Sequence, residues 1–161
     1  MKRERIPDVI AEIKDELESL ERLVKEVGEV YRERPKSLKK RHIYDESLAL
    51  KLHNFYTGCE RVFQTIADDI NGGVPASPDW HKRLLKGMAL EIKGIRPPVI
   101  TKDTVHGLDE FLAFRHVIRN IYGFELDPER LERLVEKISI VFSHFKRDVA
   151  SFVEFLKKLQ K

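Results

Sequence analysis

Apolar residues return every third or fourth position through almost the whole chain, and nowhere do they alternate with polar ones for long enough to make a strand. Ile10, Ile13, Leu17, Leu20, Val24, Val27 and Tyr31 recur at alternating steps of three and four. That spacing lines one face of a helix, which Pro7 opens in its first turn and Pro35 closes. Leu52, Phe55, Cys59, Val62, Phe63, Ile66 and Ile70 predict a second long helix that begins near His42 to Glu46 and stops at Asn71, Gly72 and Gly73. A short helix through Trp80, Leu84, Leu85 and Met88 follows, capped by Ser77 or Asp79. After a break from Gly94 to Pro98, Thr101 or Asp103 starts a third long helix, expected to reach Tyr122 and stop at Gly123. Asp127 followed by Pro128 opens the last one, whose apolar face runs from Leu131 to Leu156.

The expected fold is therefore all-α, an antiparallel helical bundle of about four long helices plus one short helix, in a single domain over 1–161. Its hydrophobic content of 42% suffices for one core. No apolar run approaches the ~20 residues of a membrane span, and no apolar segment follows the basic N-terminus. The expected location is cytoplasmic.

Charge narrows function less. Thirty Lys and Arg against 27 Asp and Glu leave a net charge of +3, too balanced to define a nucleic-acid binder. The stretch from Arg32 to His42 is strongly basic and reads either as a solvated connector or as a phosphate contact. Cys59, the single cysteine, lies on an apolar stripe as a core thiol, which rules out an internal disulfide and a cysteine-built metal site. Bundle di-metal centres use Glu-x-x-His pairs, and the chain has none. The nearest spacing, Asp103 and His106, sits at a helix start where capping explains the acid, so neither metal nor cofactor is expected. Nucleotide P-loop and nucleophile-elbow motifs are absent. His42, His53, His81 and His144 are scattered singly and read as surface or half-buried polar residues.

The segment from Phe114 to Gly123 stands out. At ~100° per residue, Phe114, Val117, Ile118 and Ile121 fall in one sector facing the core, while Arg115, His116, Arg119, Asn120 and Tyr122 fan across the other side. A solvated face is the ordinary fate of such residues. Against it, Arg115 and Arg119 lie one turn apart near a helix C-terminus, whose dipole repels anions, and both can reach the oxygens of a single phosphate.

The run from Phe114 to Asp127 resembles the signature of HepT-like proteins of the HEPN superfamily: an arginine, a polar residue, spacers, a histidine, one residue and a tyrosine. The segments Leu52 to Arg61, Asp79 to Leu85 and Arg96 to Pro98 fit a HepT-like subgroup, and the resemblance covers about Ser47 to Leu134. It implies metal-independent RNA cleavage by a homodimer whose signature helices face each other. It also implies a role as a toxin paired with a small MNT-type nucleotidyltransferase antitoxin. By resemblance Arg115 is the signature arginine, His116 the polar residue after it, and Tyr122 the terminal tyrosine, a target for nucleotide transfer.

The signature histidine falls on Asn120. An imidazole can take a proton from a ribose 2′-hydroxyl and return one to the leaving group, whereas an amide can only orient or donate a hydrogen bond. The loss is worth on the order of 10²–10⁴ in rate. His116, one turn earlier, is a possible substitute. Three readings follow: an impaired ribonuclease toxin, a catalytically silent module binding RNA, a nucleotide or its partner, and a purely structural helical adaptor.

Overall fold

The computed structural model describes residues 2–161, and they are all-helical, as the periodicity predicts. Five α-helices follow one another: α1 (Ile6–Glu33), α2 (Leu38–Ile66), α3 (Trp80–Gly87), α4 (Lys102–Ile118) and α5 (Pro128–Leu159). No strand forms among the described residues, the one bridge joining Ile92 to Arg96. Among the described residues no helix is long and apolar enough to cross a membrane.

Helix α2 is the hub, because it packs against α1, α3, α4 and α5. Its Leu52, Phe55, Cys59, Val62, Phe63 and Ile66 are all essentially inaccessible. Phe55 meets Phe111 of α4 edge to face at 5.1 Å, and Phe63 meets Phe145 of α5 in the same way at 5.7 Å. Each buried ring stabilises the fold by roughly 1.5–3 kcal/mol over its exposed state. Burial also pushes the Cys59 thiol well above its ordinary range, as suits a core residue.

The predicted stops and starts recur with their expected chemistry. At the end of α2 the last turn widens into a π-helix over Ala67–Asn71, and Gly72 takes the left-handed conformation at φ 90° that terminates it. Asp127 caps α5 by accepting the N–H of Glu129 and Arg130, with Pro128 behind it. At the start of α4, Thr101 and not Asp103 is the cap, its hydroxyl accepting Thr104 N–H at 3.3 Å. Asp148 of α5 then binds this end from outside, accepting Thr101 N–H at 2.9 Å and the Thr104 hydroxyl at 2.6 Å.

Two boundaries differ from the sequence expectation. Helix α2 starts at Leu38, so Lys39 to His42 occupy its first turns and only Arg34 to Ser37 of the basic run connect the two helices. Ser37 is extended and its carbonyl accepts Arg41 N–H at 2.8 Å, which begins the ladder directly after Pro35 and Lys36. Helix α4 ends at Ile118 and does not reach Tyr122. Asn120 ends it: the side-chain Nδ2 donates to His116 O at 2.7 Å, and its backbone N–H goes to Val117 O. Short amides compete with the helical ladder in this way, and here the amide satisfies a carbonyl orphaned at the helix end.

Between α3 and α4, the loop is held by a buried guanidinium. Arg96 donates to Asn71 Oδ1 at 2.7 Å, Leu90 O at 2.9 Å and Pro97 O at 3.1 Å. This anchors α3, and with it one wall of the site, to the end of α2.

Candidate functional site

The early end of α4 changes where the signature residues stand. Arg115, His116, Arg119 and Asn120 do share one wall, that of a cleft of about 770 Å³ between α3 and α4. Val117 lines the same cleft instead of facing the core, while Phe114 is buried and Ile118 packs against the core. Tyr122 is not brought along. It lies beyond the helix in an extended conformation, so it does not share Arg115's helical sector. It is 70% exposed, stacks in parallel on Phe124 at 5.4 Å and is absent from the cleft lining.

Four cations, Lys82, Arg115, Arg119 and Arg130, and two carboxylates, Asp79 and Asp109, line the cleft. Its balance is therefore positive although that of the whole chain is nearly even. Arg115 is half-buried and its Nε makes no hydrogen bond. A buried N–H without an acceptor is costly, so it is through the rest of its guanidinium that Arg115 can meet an anion in the cleft. The Tyr56 hydroxyl on α2 is likewise buried and unpartnered, and burial first, then the nearby Glu60 carboxylate, push it above the ordinary phenol range.

Of the residues that the sequence reading left out of the site, His81 lines the cleft, and His53, Tyr56 and Glu60 of α2 do not. On α2, His53, Tyr56 and Glu60 fall at steps of three and four, a polar line beside the apolar stripe that could have signalled them. His53 is held below its ordinary pKa by burial, and Arg115 and Arg119 add to this as neighbouring positive charges. Glu60 is only 4% exposed and is bound by His81 Nδ1 of α3 at 2.8 Å. His81 is half-buried, within the expectation for it, and it lines the cleft and stacks on Trp80 at 3.6 Å.

Asp103 and His106 stay exposed at the first turns of α4, and among the described residues no three His, Cys, Asp or Glu side chains gather as a metal site would require. Two residues of the basic stretch are paired: His42 with Glu46 at 3.1 Å, and Arg34, before α2, with the buried Asp45 at 3.0 Å.

A model of the family described as HepT-like protein matches residues 47–156, well over half of the chain and inclusive of α3, α4, the cleft and most of α2 and α5. No curated protein and no solved structure matches the chain.

Proposed function

The chain belongs to the HepT-like family, and from that premise we propose that it is a HEPN-type endoribonuclease toxin whose α3–α4 cleft receives an RNA phosphodiester. The observation that carries the reading is the pair Arg115 and Arg119 on one wall of a positively balanced cleft. Two guanidiniums one turn apart can grip non-bridging oxygens in charge-assisted hydrogen bonds and stabilise charge developing at phosphorus. No metal is required for this chemistry, since the 2′-hydroxyl of RNA is itself the nucleophile.

Position 120 is the weak point of the site. Asn120 cannot titrate, and its amide is already committed to His116 O, so proton transfer does not come from there. That commitment favours a second reading, a catalytically silent module that binds RNA, a nucleotide or its partner without cutting. His116 is exposed and has no carboxylate to orient it, which makes it a poor replacement.

The reading includes a two-fold homodimer, in which a second copy of the Arg115 wall closes a cleft that one chain leaves open. It also includes a nucleotidyltransferase partner of the MNT type. Tyr122 is the proposed handle, because its exposed ring lies three residues beyond Arg119 on a segment that leaves the helix. Adenylate attached there would bring a phosphate into competition with RNA for the cations nearby.

The test is incubation of the purified chain with mixed RNA in chelator, followed by end-group analysis. Cyclic 2′,3′-phosphate ends that disappear in Arg115→Ala support cleavage, and Asn120→His should raise the rate. If neither the natural chain nor Asn120→His cuts, the ribonuclease reading fails.

A further inference from the structure

We infer that His81, oriented by Glu60, is the group that moves the proton in this cleft, an inference that rests on the reading of the cleft as an RNA phosphodiester site. The Glu60 carboxylate is buried at 4% exposure on α2, in a helix face otherwise filled by Tyr56, Cys59 and Phe63. Such a charge persists only when paired, and its partner is His81 Nδ1 at 2.8 Å. A mere packing role would be met by two apolar side chains at lower cost. A carboxylate oxygen only accepts, so Nδ1 carries the hydrogen, and in the neutral imidazole Nε2 keeps the lone pair. The Trp80 ring, stacked at 3.6 Å and 28°, fixes the plane of the imidazole. Orientation by a buried acid and an aromatic face is how a histidine is prepared for one task.

His81 and the phosphate-gripping pair share one space, since all three line the same cleft. The competing histidines are less well placed. His116 has no orienting acid, and His53 does not line the cleft.

In the reaction, Nε2 of His81 takes the proton of the ribose 2′-hydroxyl while the 2′-oxygen forms its bond to phosphorus. The bond from phosphorus to the 5′-oxygen breaks, and the proton passes back from the imidazolium to that leaving oxygen. The products are a 2′,3′-cyclic phosphate and a 5′-hydroxyl. No water, metal or redox partner enters, and the histidine ends as it began.

The experiment measures cleavage of labelled mixed RNA in chelator by the full chain, with RNA affinity measured in parallel. Its variants are His81→Gln, His81→Ala, Glu60→Gln and Asn120→His, each checked by circular dichroism. His81→Gln should lose on the order of 10²–10⁴ in rate with affinity nearly unchanged. His81→Ala should regain about tenfold or more in added imidazole, which a merely structural histidine would not allow. Glu60→Gln should lower kcat and leave KM alone. A folded His81→Gln that cuts at the natural rate overturns the inference and leaves the cleavage reading standing. So does a lost rate that imidazole does not restore. A natural chain that is inert while Asn120→His cuts also removes His81 from the role without removing the family chemistry. Inertness of both removes the two together.

Discussion

Replacing Asp148 by alanine should loosen the helix that carries the site from its far end. Asp148 Oδ2 accepts three hydrogen bonds from the first turn of α4: Thr101 N–H at 2.9 Å, Thr101 Oγ1 at 3.1 Å and Thr104 Oγ1 at 2.6 Å. Asp148 is buried at 8% and Thr104 at 1%, so water does not readily take the place of the missing acceptor. Hydrogen bonds to a charged group contribute about 1.5–3 kcal/mol each. The Thr101 and Thr104 hydroxyls, 3.1 Å apart, keep only each other, and the Thr101 N–H loses its acceptor. Asp148→Ala should then cost about 3 kcal/mol. Asp148→Asn, whose amide oxygen can keep the same donors, should cost about 1 kcal/mol, because the exposed Arg147 contact it weakens contributes little. Urea unfolding followed by far-ultraviolet circular dichroism at neutral pH measures both. The pH dependence has a definite sign. Burial pushes the Asp148 carboxyl up, but the Thr101 N–H, the Thr104 and Thr101 hydroxyls and Arg147 outweigh it and hold the group below its ordinary value. A depressed folded pKa contributes stability that is full above the unfolded value of about 3.9 and is lost as pH falls through the folded one. The gap between natural chain and Asp148→Asn should therefore shrink below about pH 4. A loss under 1 kcal/mol for Asp148→Ala, or a gap that widens in acid, would refute this account of the α4 anchor.

Gly58→Ala should destabilise by about 1 kcal/mol: the ~1 kcal/mol gained in helix propensity is outweighed by a Cβ placed 2.5 Å from Leu20 Cδ2 in a packed α1–α2 contact, where overpacking costs about 1–3 kcal/mol. A rise in urea midpoint would show that Leu20 yields freely. Sedimentation at micromolar concentration should give a species of twice the chain's 18.9 kDa, and monomer alone would exclude the facing-helix dimer. Co-expression with a neighbouring nucleotidyltransferase should add adenylate mass that peptide fragmentation maps to Tyr122. A Tyr122→Phe chain modified just as fully contradicts that assignment.

Much of the architecture was legible because local chemistry sets it. Asp127 and Pro128 announce α5, Gly72 ends the α2 rod and Thr101 caps α4, each through groups only a few residues apart. The two misplaced boundaries come from signals that compete locally. Gly123 looks like the stronger stop, but Asn120 bonds back to His116 first. Pro35 ends α1, and Ser37 restarts the helix sooner than the cationic run, unfavourable at a helix N-terminus, suggests. The site was half legible. Arg115, His116, Arg119 and Asn120 are neighbours in sequence and remain neighbours on the cleft wall. Glu60 and His81 are 21 residues apart on different helices, and only the packing of α3 against α2 joins them.

RNA held by Arg115 and Arg119 in the α3–α4 cleft is tested most directly by equilibrium binding of a 2′-O-methylated oligonucleotide, which lacks the attacking hydroxyl and so stays intact. Affinity is measured across a salt series for the natural chain and for Arg115→Ala combined with Arg119→Ala. The double variant should bind at least about tenfold more weakly, and its log-log salt slope should be shallower by roughly 0.7 for each phosphate that the two arginines neutralise. Equal affinities and parallel salt lines would contradict a phosphodiester site in this cleft.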